Sequence, residues 1–409
     1  MKFSVTGEKL VDYLSKLNSV IPTRSPLPIL DNILFELSGN ELKLLASDLE
    51  IFIRTIIEVK GEKDGKVAIP AKKLLEISRT LTSATLVFDV NEKNRVTIKT
   101  KNGKYTIGGE PSEDFPVPEE KGDLNNLEFD GRTLRRCLSK VIHAVNTDEL
   151  RRNMSGVLLD VKQGELKFVA TDGFRLGKII KDNFKVKSDI EEKIIIPLKT
   201  SNLILRLNNG EDSVIEFDEN DLKVTFGEIE IYSKLIDDTF PSYENVIPDN
   251  NDKILKIEKS ALASSLRRAL IFADAITKRV RLELTSNTLT IKADNPEIGS
   301  EGEETIEGSF TSTGGDEDFD NTPFVIAFNA QYLIDAVSQM DTGHSSGDDE
   351  PKIGVDGVLV DSGDDESKSI PEGKINISFG SSSKAAIITP SEQRKNENYI
   401  ELIMPVRVG

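Results

Sequence analysis

Three stretches of the chain share one pattern, in which apolar and polar residues alternate and then stop at Asp or Asn. They are Glu41–Asp48, Glu165–Asp172 and Thr288–Asn295. Strict alternation that ends at a turn-forming residue predicts a half-buried strand that runs into a tight turn. Aligned on their leading leucines, the stretches are separated by 124 and then 123 residues. A period this long indicates three repeated domains and excludes a solenoid of short units.

Helical patterns recur with the same period. In repeat one, Leu10, Leu14 and Leu17 follow the strand Lys2–Val5 at the spacing of one helix face. The matching apolar positions of the other repeats are Leu134, Leu138 and Val141, and then Leu262, Leu266 and Ala269. A second helix is predicted in each repeat, over residues 72–81, 199–207 and 332–340. Most of the remaining segments alternate or are rich in β-branched residues, so each repeat is predicted to be mostly strand with two helices.

The repeats end alike, at Phe115–Pro116, Phe240–Pro241 and Met404–Pro405, which predicts domains over residues 1–121, 122–249 and 250–409. The third is longer because of two acidic stretches, near 297–321 and 341–372. We expect these to be weakly ordered loop inserts, since they are rich in Gly, Ser and acidic residues. Residues 297–320 and 341–372 together carry −17 of the net charge of −18. The rest of the chain is therefore close to neutral.

Composition excludes several classes of protein. No apolar run approaches the roughly 18 residues that span a membrane, and no charged-then-apolar leader follows Met1. The single cysteine, Cys137, excludes an intramolecular disulfide and fits a reducing compartment. We therefore expect a cytoplasmic protein.

Enzymatic motifs are missing from the sequence. His143 and His344 are the only histidines, and there is no Gly-rich phosphate loop, nucleophile elbow or Cys/His metal spacing. We expect no catalytic residues, no cofactor and no metal site. A single-strand nucleic-acid binder is a second alternative, but it would need stacking aromatics, and the chain has no Trp and only 6% aromatic residues. Turnover by the pure protein would favour an enzyme, and tight single-strand binding would favour the other alternative.

Five motifs resemble one known family, the bacterial DNA polymerase III beta subunit or beta sliding clamp. They are Thr23–Leu30, Ala170–Leu176, Ser233–Leu235, Phe240–Tyr243 and Met404–Arg407. The resemblance covers all three repeats in order. It implies an α+β fold in which each clamp domain packs two helices on antiparallel sheets. It further implies a head-to-tail homodimeric ring that encircles duplex DNA, is opened by a clamp loader, and tethers the replicative polymerase and other partners.

The resemblance also implies a DNA-facing set of basic residues on the helices and two loops. Residue by residue, this set is Arg24, Lys72, Lys73, Arg79, Arg135, Arg136, Lys140, Arg151, Arg152, Lys199, Arg206, Arg267 and Arg268. Basic faces repeated on several helices can meet phosphates without reading bases. The alternative for each position is an ordinary solvated side chain, and for Arg151 it is an ion pair with Asp148 or Glu149.

Two further surfaces follow from the resemblance. The partner-peptide pocket between domains II and III comprises Met154, Thr171, Gly173, Phe174, Arg175, Leu176, Pro241, Asn245, Val246, Leu402, Ile403, Met404, Pro405, Val406 and Arg407. The alternative here is a C-terminal strand, including Leu402 and Ile403, that packs into its own core. The dimer interface would join Tyr105 and Ile107 of one protomer to Ile271 and Phe272 of the other.

Overall fold

The computed structural model describes residues 1–25, 27–122, 124–148, 150–185, 190–314, 318–342 and 373–407. Within these residues the chain forms six α-helices and 25 β-strands. The helices are α1 Gly7–Leu17, α2 Ala71–Arg79, α3 Thr133–Val141, α4 Leu198–Leu207, α5 Lys259–Phe272 and α6 Ala330–Gln339.

The strands divide among the three repeats. Repeat one holds β1 Lys2–Thr6, β2 Asn32–Ser38, β3 Glu41–Ser47, β4 Ile51–Glu58, β5 Lys60–Lys63, β6 Gly65–Pro70, β7 Thr85–Val90, β8 Arg95–Lys99 and β9 Lys104–Gly108. Repeat two holds β10 Asn125–Phe129, β11 Gly156–Lys162, β12 Gly164–Thr171, β13 Arg175–Phe184, β14 Glu192–Pro197, β15 Ser213–Phe217, β16 Asp221–Phe226 and β17 Ile229–Lys234. Repeat three holds β18 Lys253–Glu258, β19 Arg279–Leu284, β20 Thr288–Asn295, β21 Ser300–Ser312, β22 Phe324–Asn329, β23 Lys374–Phe379, β24 Ala386–Pro390 and β25 Glu397–Ile403.

The predicted plan of three repeated α+β domains, each with two helices on antiparallel sheets, is confirmed. The apolar positions that predicted the first helix of each repeat are buried, as in α1, where Leu10, Leu14 and Leu17 have no exposed surface. A helix with one apolar face gains most of its stability by burying that face on a sheet or another helix. The three repeated stretches of alternating residues form β3, β12 and β20, and each strand ends where the pattern predicts a turn.

The chain folds into two compact units that do not coincide with the repeats. The N-terminal unit comprises residues 1–135 and 202–235, and the C-terminal unit comprises residues 136–201 and 236–409. The N-terminal unit contains a five-stranded sheet, β5-β1-β7-β8-β9, and an eight-stranded sheet, β10-β15-β16-β17-β4-β3-β2-β6. The C-terminal unit contains one twelve-stranded sheet, β14-β11-β12-β13-β25-β24-β23-β18-β21-β20-β19-β22. Repeat two therefore gives strands to both units.

A strand pair joins two repeats within each unit. In the N-terminal unit β4 of repeat one pairs with β17 of repeat two, with Ile51 opposite Ser233 and Phe52 opposite Tyr232. In the C-terminal unit β13 of repeat two pairs with β25 of repeat three. Hydrogen bonds thus continue across the repeat boundaries, and the eight-stranded and twelve-stranded sheets are each built from two repeats.

Aromatic clusters fill the cores. In the N-terminal unit, Phe3 stacks on Phe88 with ring centroids 4.7 Å apart, and both lie near Phe35. In the C-terminal unit, Phe310 and Phe379 are buried with centroids 6.1 Å apart. Each such side chain buries 150–250 Å² of largely apolar surface, so these clusters contribute several kcal/mol apiece.

The first acidic insert is not a loop, and that prediction is wrong for residues 300–312. These residues form β21, the longest strand described, and it pairs with β20 along Ser300–Glu307 and with β18 along Gly308–Ser312. The exposed glutamates alternate with less exposed positions such as Gly302, Ile306 and Phe310. The high acidic content concealed this period of two, which is the actual signal of a strand. Gly315 and all but the first two residues of the second insert, 341–372, lie outside the described residues.

Candidate functional site

Basic side chains are exposed along three of the helices. They are Lys72, Lys73 and Arg79 on α2, Lys199 and Arg206 on α4, and Arg267 and Arg268 on α5. The guanidinium of Arg268 pairs with Glu304 of β21 and bonds to the hydroxyl of Ser265. The helical phase explains the exposure: the apolar face of α2, including Leu74 and Leu75, turns into the core and leaves the lysines outside.

Two of the three basic residues of α3 do not match the prediction that they face DNA. Arg135 donates from Nη1 to the carbonyl oxygens of Leu205 and Asn208. Arg136 and Lys140 are drawn into the C-terminal unit, where both pair with the carboxylate of Asp341. An arginine or lysine whose charge is offset by buried carboxylates inside the protein is poorly placed to meet a phosphate. The prediction that Arg136 and Lys140 face DNA is therefore wrong, whereas for Arg135, which is half-buried and bonded to backbone carbonyl oxygens, it stays a prediction.

Arg136 and Lys140 belong to a polar network that we call the α3 network, formed by these two residues with Asp341, Glu397 and Lys181. Arg136 Nε lies 3.1 Å from both carboxylate oxygens of Glu397, and Lys140 Nζ lies 3.0 Å from Asp341 Oδ1. Lys140 also donates to the carbonyl oxygen of Gln339. The network ties a helix of repeat two to the end of α6 and to β25 of repeat three.

Burial and charged partners shift the pKa values in the α3 network. Burial lowers the pKa of the Lys140 ammonium to about 8, although the charge of Asp341 acts in the opposite direction. For Asp341, burial opposes ionisation, but the hydrogen bond from Arg136 and the charge of Lys140 outweigh it and hold the pKa of this carboxyl well below its usual range. The pKa of Glu397 is lowered for the same reasons, with Arg136 as its main partner.

The lowered pKa of Lys140 makes a testable contribution to stability. Between about pH 8 and the ordinary lysine value of about 10.4, the unfolded chain holds a proton that the folded chain has released. Stability should therefore rise with pH across this window, by up to roughly 3 kcal/mol at its upper end. We expect Lys140→Met to reduce this rise when denaturant unfolding is measured from pH 7.5 to 10.5, values chosen to bracket the roughly two-unit window. A smaller rise should remain, because burial also lowers the pKa values of Lys259 and Lys178.

Lys193→Met is the matched control, since Lys193 is a largely exposed lysine in the same unit that pairs with Asp160. It should keep the pH dependence of the parent protein. If the parent and Lys140→Met show the same slope, Lys140 retains its ordinary proton affinity.

The two predicted loop positions are exposed. Arg24 lies in the Pro-rich segment before β2, and Arg151 and Arg152 lie beside a 3-10 turn, Arg152–Met154. Arg151 Nη1 reaches the carbonyl oxygen of Asp172 at 3.5 Å, a long contact that leaves the guanidinium largely available. Glu149, one of the alternative partners of Arg151, lies outside the described residues.

The predicted peptide pocket is built on the turn between β12 and β13. Asp172 Oδ1 accepts hydrogen bonds from the backbone N–H groups of Phe174 and Arg175 at 2.9 and 3.0 Å. Thr171 Oγ1 accepts from the N–H of Gly173 at 3.1 Å, and Gly173 has φ = +90°. Glycine suits a conformation that other residues adopt only with strain. This turn leaves the Phe174 side chain 55% exposed.

The C-terminal segment runs beside this turn. In the β13–β25 ladder Leu176 faces Leu402 and Arg175 faces Ile403, and the Met404 N–H then donates to the Phe174 carbonyl at 2.8 Å. Arg175 is fixed by Asp172 and Asp335 and lies over the Tyr332 ring at 4.5 Å. The segment and the turn therefore form one surface.

A buried cluster lies beneath this surface. It contains Leu158, Val169, Leu176, Ile195, Tyr243, Ala385 and Leu402, against which Ile236, Phe240 and Ile247 pack. Four apolar side chains of the predicted pocket are substantially exposed: Phe174, Val246, Met404 and Val406. We call these four the peptide surface. Leu176, Leu402 and Ile403 are at most 2% exposed, so the alternative of a core strand is correct for Leu402 and Ile403.

The remaining predicted pocket residues surround the peptide surface with mixed exposure. Asn245, Gly173 and Arg407 are exposed, Met154, Pro241 and Pro405 are half-buried, and Thr171 is buried by its own turn. A surface of exposed apolar side chains over a rigid apolar floor is typical of sites that accept a short peptide.

The predicted interface residues are only partly exposed. Ile271 and Phe272, at the end of α5, are 77% and 39% exposed, whereas Tyr105 is half-buried and Ile107 is 6% exposed. Ile107 packs inside its own sheet, so the prediction that it meets a partner's side chains is wrong. Alternation along β9 points Ile107 inwards and neighbouring positions outwards.

The sequence did not predict the exposed side chains of Ile276 and Ile298 or the open strand edge of β21. Ile276 and Ile298 are 91% and 75% exposed, and Phe272 lies against Gly302 of β21, where an added Cβ would come within 2.9 Å of the ring. Along residues 300–307, β21 pairs only with β20 among the described strands, so one edge is open. β9 likewise ends its sheet. Open strand edges are sites of pairing with another chain.

Among the described residues, no group of three His, Cys, Asp or Glu side chains could hold a metal ion. None of the helices traced in that part of the chain is long and apolar enough to cross a membrane.

Comparison with known proteins identifies relatives of the whole chain. Family models of the DNA polymerase III beta subunit match residues 1–119 (N-terminal domain), 128–242 (central domain) and 244–345 (C-terminal domain). The beta sliding clamp of Pseudomonas aeruginosa is 30% identical over 346 residues, covering 84% of this chain and 91% of the relative. That of Vibrio cholerae is 27% identical over 344 residues, covering 83% and 90%. The crystal structure of the P. aeruginosa DNA polymerase III subunit beta superposes with a TM-score of 0.85 at 26% identity, covering 100% of both chains.

Proposed function

Because this chain belongs to the bacterial DNA polymerase III beta subunit family, the beta sliding clamps, we propose that two copies join head to tail into a ring around duplex DNA. The chain is a DNA replication processivity factor. The exposed basic side chains on α2, α4 and α5 support the proposal that the ring encloses duplex DNA. Contacts to phosphates need accessible positive charge but no recognition of bases. Their modest number fits a protein that holds DNA by enclosure and slides on it.

The proposed DNA-facing set is smaller than the sequence predicted. It comprises Arg24, Lys72, Lys73, Arg79, Arg135, Arg151, Arg152, Lys199, Arg206, Arg267 and Arg268. The contribution of Arg268 is reduced, because Glu304 neutralises its guanidinium. The acidic residues of β21 and the second insert carry most of the net charge, so the attraction to DNA is local and weak.

Removing two of these charges should change the salt dependence of DNA binding. We expect Lys72→Gln with Lys73→Gln to reduce the slope of log K against log salt by about 2 for linear duplex, since each lost phosphate contact contributes about 0.9. Fluorescence anisotropy over a salt series measures the slope. Lys60→Gln with Lys63→Gln removes the same charge from the edge strand β5 and should leave the slope unchanged. Equal slopes for both double variants would mean that α2 does not meet the phosphates.

We further infer that the peptide surface receives the clamp-binding segments of the replicative polymerase and other partners. Its four apolar side chains are exposed while neighbouring residues such as Leu176 and Leu402 are already packed in a buried cluster, so a ligand side chain can gain burial without reorganising the protein. Met404 suits this task because an unbranched thioether adapts to different aliphatic and aromatic partners. A clamp loader that hydrolyses ATP is the proposed partner for opening, since this chain carries no ATP-binding motif.

Truncating the peptide surface should weaken a polymerase-derived peptide without unfolding the protein. Met404→Ala and Val246→Ala each remove an exposed anchor, and loss of such an anchor commonly costs about 2 kcal/mol, or roughly thirtyfold in affinity. Isothermal titration with the peptide measures the change. Glu165→Ala, on the same sheet and half-exposed, is the control and should bind like the parent protein. Unchanged affinity in both anchor variants, with unchanged melting, would locate the partner site elsewhere.

The proposed activity is non-catalytic, and the proposed compartment is the cytoplasm, where replication proteins of bacteria act. A nuclease or polymerase assay that gives turnover with the pure protein would contradict the first statement. Tight binding of single strands in the absence of a loader would favour the single-strand alternative over a ring on duplex DNA.

A further inference from the structure

A cavity of about 300 Å³ lies in the N-terminal unit. Its apolar lining comes from the β3–β4 turn, from strands of repeat two, and from the segment that connects repeats one and two. These apolar side chains are Leu49, Phe52, Val117, Leu124, Leu222 and Tyr232. Leu49 and Val117 are 43% and 63% exposed, so the cavity opens to solvent through apolar groups.

The internal repeat makes this cavity the counterpart of the peptide surface. The β3–β4 turn repeats the hydrogen bonds of the β12–β13 turn at an offset of 124 residues. Asp48 Oδ1 accepts from the N–H groups of Glu50 and Ile51 at 3.1 and 2.8 Å, and Ser47 Oγ accepts from the N–H of Leu49 at 2.9 Å. The equivalent contacts on the other turn are those of Asp172 and Thr171.

The floors and the strand registers match as well. Leu34, Leu45 and Phe115 form a buried cluster under the cavity, with Phe52 packed against it. Shifted by 124 residues, Leu34, Leu45 and Phe52 correspond to Leu158, Val169 and Leu176 in the floor of the peptide surface. In the β4–β17 ladder, Tyr232 faces Phe52 as Leu402 faces Leu176. Lys234 therefore occupies the position that Met404 occupies at the peptide surface.

Leu49 is the most informative difference between the two sites. It has φ = +83° where its counterpart Gly173 has φ = +90°. A leucine in this conformation is strained, typically by about 1–3 kcal/mol, whereas glycine is not. Strain of this kind is often retained where the side chain has a use, and here it holds an apolar group at the mouth of the cavity.

The charges around the cavity define what it can accept. Its lysines are already paired: Lys121 with Asp218 and Asp221, Lys234 with Asp221, and Lys223 with Glu216. Glu50 and Glu119 are exposed on the rim, and neither forms an ion pair within the described part of the chain. The uncompensated charge is therefore negative, which favours a ligand carrying a basic group next to its apolar one.

We propose that this cavity is a second peptide-docking site, which accepts a segment of a partner protein carrying a large apolar side chain flanked by Lys or Arg. The apolar side chain would occupy the space between Leu49, Phe52 and Tyr232, and the basic residue would lie beside Glu50 or Glu119. The inference goes beyond the proposed function, because it gives each protomer two peptide sites of different charge preference.

The test uses the full chain with methyl-labelled leucine and valine, observed by NMR. The probe is the capped hexapeptide Gly-Lys-Leu-Phe-Lys-Gly. The methyl signals of Leu49, Val117 and Leu124 report on the new site, and those of Leu176 and Val246 report on the peptide surface. We expect saturable shifts at Leu49, Val117 and Leu124 with a Kd on the order of 10⁻⁴ M. The peptide Gly-Glu-Leu-Phe-Glu-Gly should bind there at least tenfold more weakly.

Leu49→Gly separates docking from structural roles. It removes the apolar group and also relieves the positive φ, so the protein should melt no lower than the parent while affinity at the Leu124 and Val117 reporters falls at least fivefold. Leu150→Gly removes a more exposed leucine of the C-terminal unit and should not change the affinity. Shifts confined to Leu176 and Val246, equal binding of the two peptides at Leu49, or undiminished binding by Leu49→Gly would each overturn the proposal. If shifts are absent only at Leu176 and Val246, the result counts against the peptide surface and not against the proposed second site.

Discussion

Protein loaded onto a nicked circular duplex should stay bound in about 1 M NaCl and should leave once the circle is cut. The reason is that enclosure does not depend on phosphate attraction, whereas a protein held by 6–10 phosphate contacts loses roughly 10³- to 10⁵-fold in affinity between 50 and 200 mM salt. Gel filtration of labelled protein with circular and linearised DNA measures the retained fraction. The expected contrast is near-complete retention against near-complete loss.

The control for this experiment is the same circle without the clamp loader, on which the protein should not persist at high salt. Equal, salt-sensitive loss from circular and linear DNA would contradict enclosure and would leave electrostatic binding as the mode of association. The exposed charges of α2, α4 and α5 would then have to carry the whole affinity, which their number makes difficult.

The double variant Ile271→Ala with Phe272→Ala should convert the proposed dimer into monomers. Both side chains are exposed in the single chain, and Phe272 lies against Gly302 of β21, whose edge is open there. Each large apolar side chain removed from a buried interface costs roughly 2–5 kcal/mol, and a ring has two such interfaces. Sedimentation velocity at low micromolar concentration should show the mass falling from twice 45.2 kDa to the single-chain value.

Leu150→Ala is the matched control, because Leu150 is 92% exposed but belongs to repeat two. Its mass should equal that of the parent protein. A double variant that remains dimeric would show that Ile271 and Phe272 lie outside the interface. Tyr105→Ala then becomes the next variant to measure, since Tyr105 lies on the open edge strand β9.

The architecture was predictable because its signals are local and repeated. The alternation in β3, β12 and β20 and the helix faces of α1, α3 and α5 depend on neighbouring residues, and their recurrence at 124 and 123 residues identifies the domains. Burial of Leu10, Leu14 and Leu17 is the direct consequence of their helical spacing. The exposure of the basic residues on α2 and α4 follows from the same helical spacing.

The errors concern partners that are distant in sequence. Arg136 meets Glu397 across 261 residues, and no local pattern can distinguish this pairing from a solvated or DNA-facing arginine. The same holds for Lys140 with Asp341, 201 residues away. The negative charge of β21 favours a loop in the sequence, although exposed and less exposed positions alternate along the strand. Ile107 was assigned by homologous position, although the strand period would have pointed it inwards.

The pairing of β4 with β17 has a consequence for synthesis of the protein. β4 is complete at residue 58, but its neighbour in the sheet ends at residue 234, which is 176 residues later. At 5–20 residues per second, the ribosome needs about 9–35 s to supply it. The interval is longer for β13, because its neighbour β25 ends at residue 403. During these intervals a nascent chain carries an unpaired strand edge, and two neighbouring ribosomes on one message would bring such edges within reach of each other.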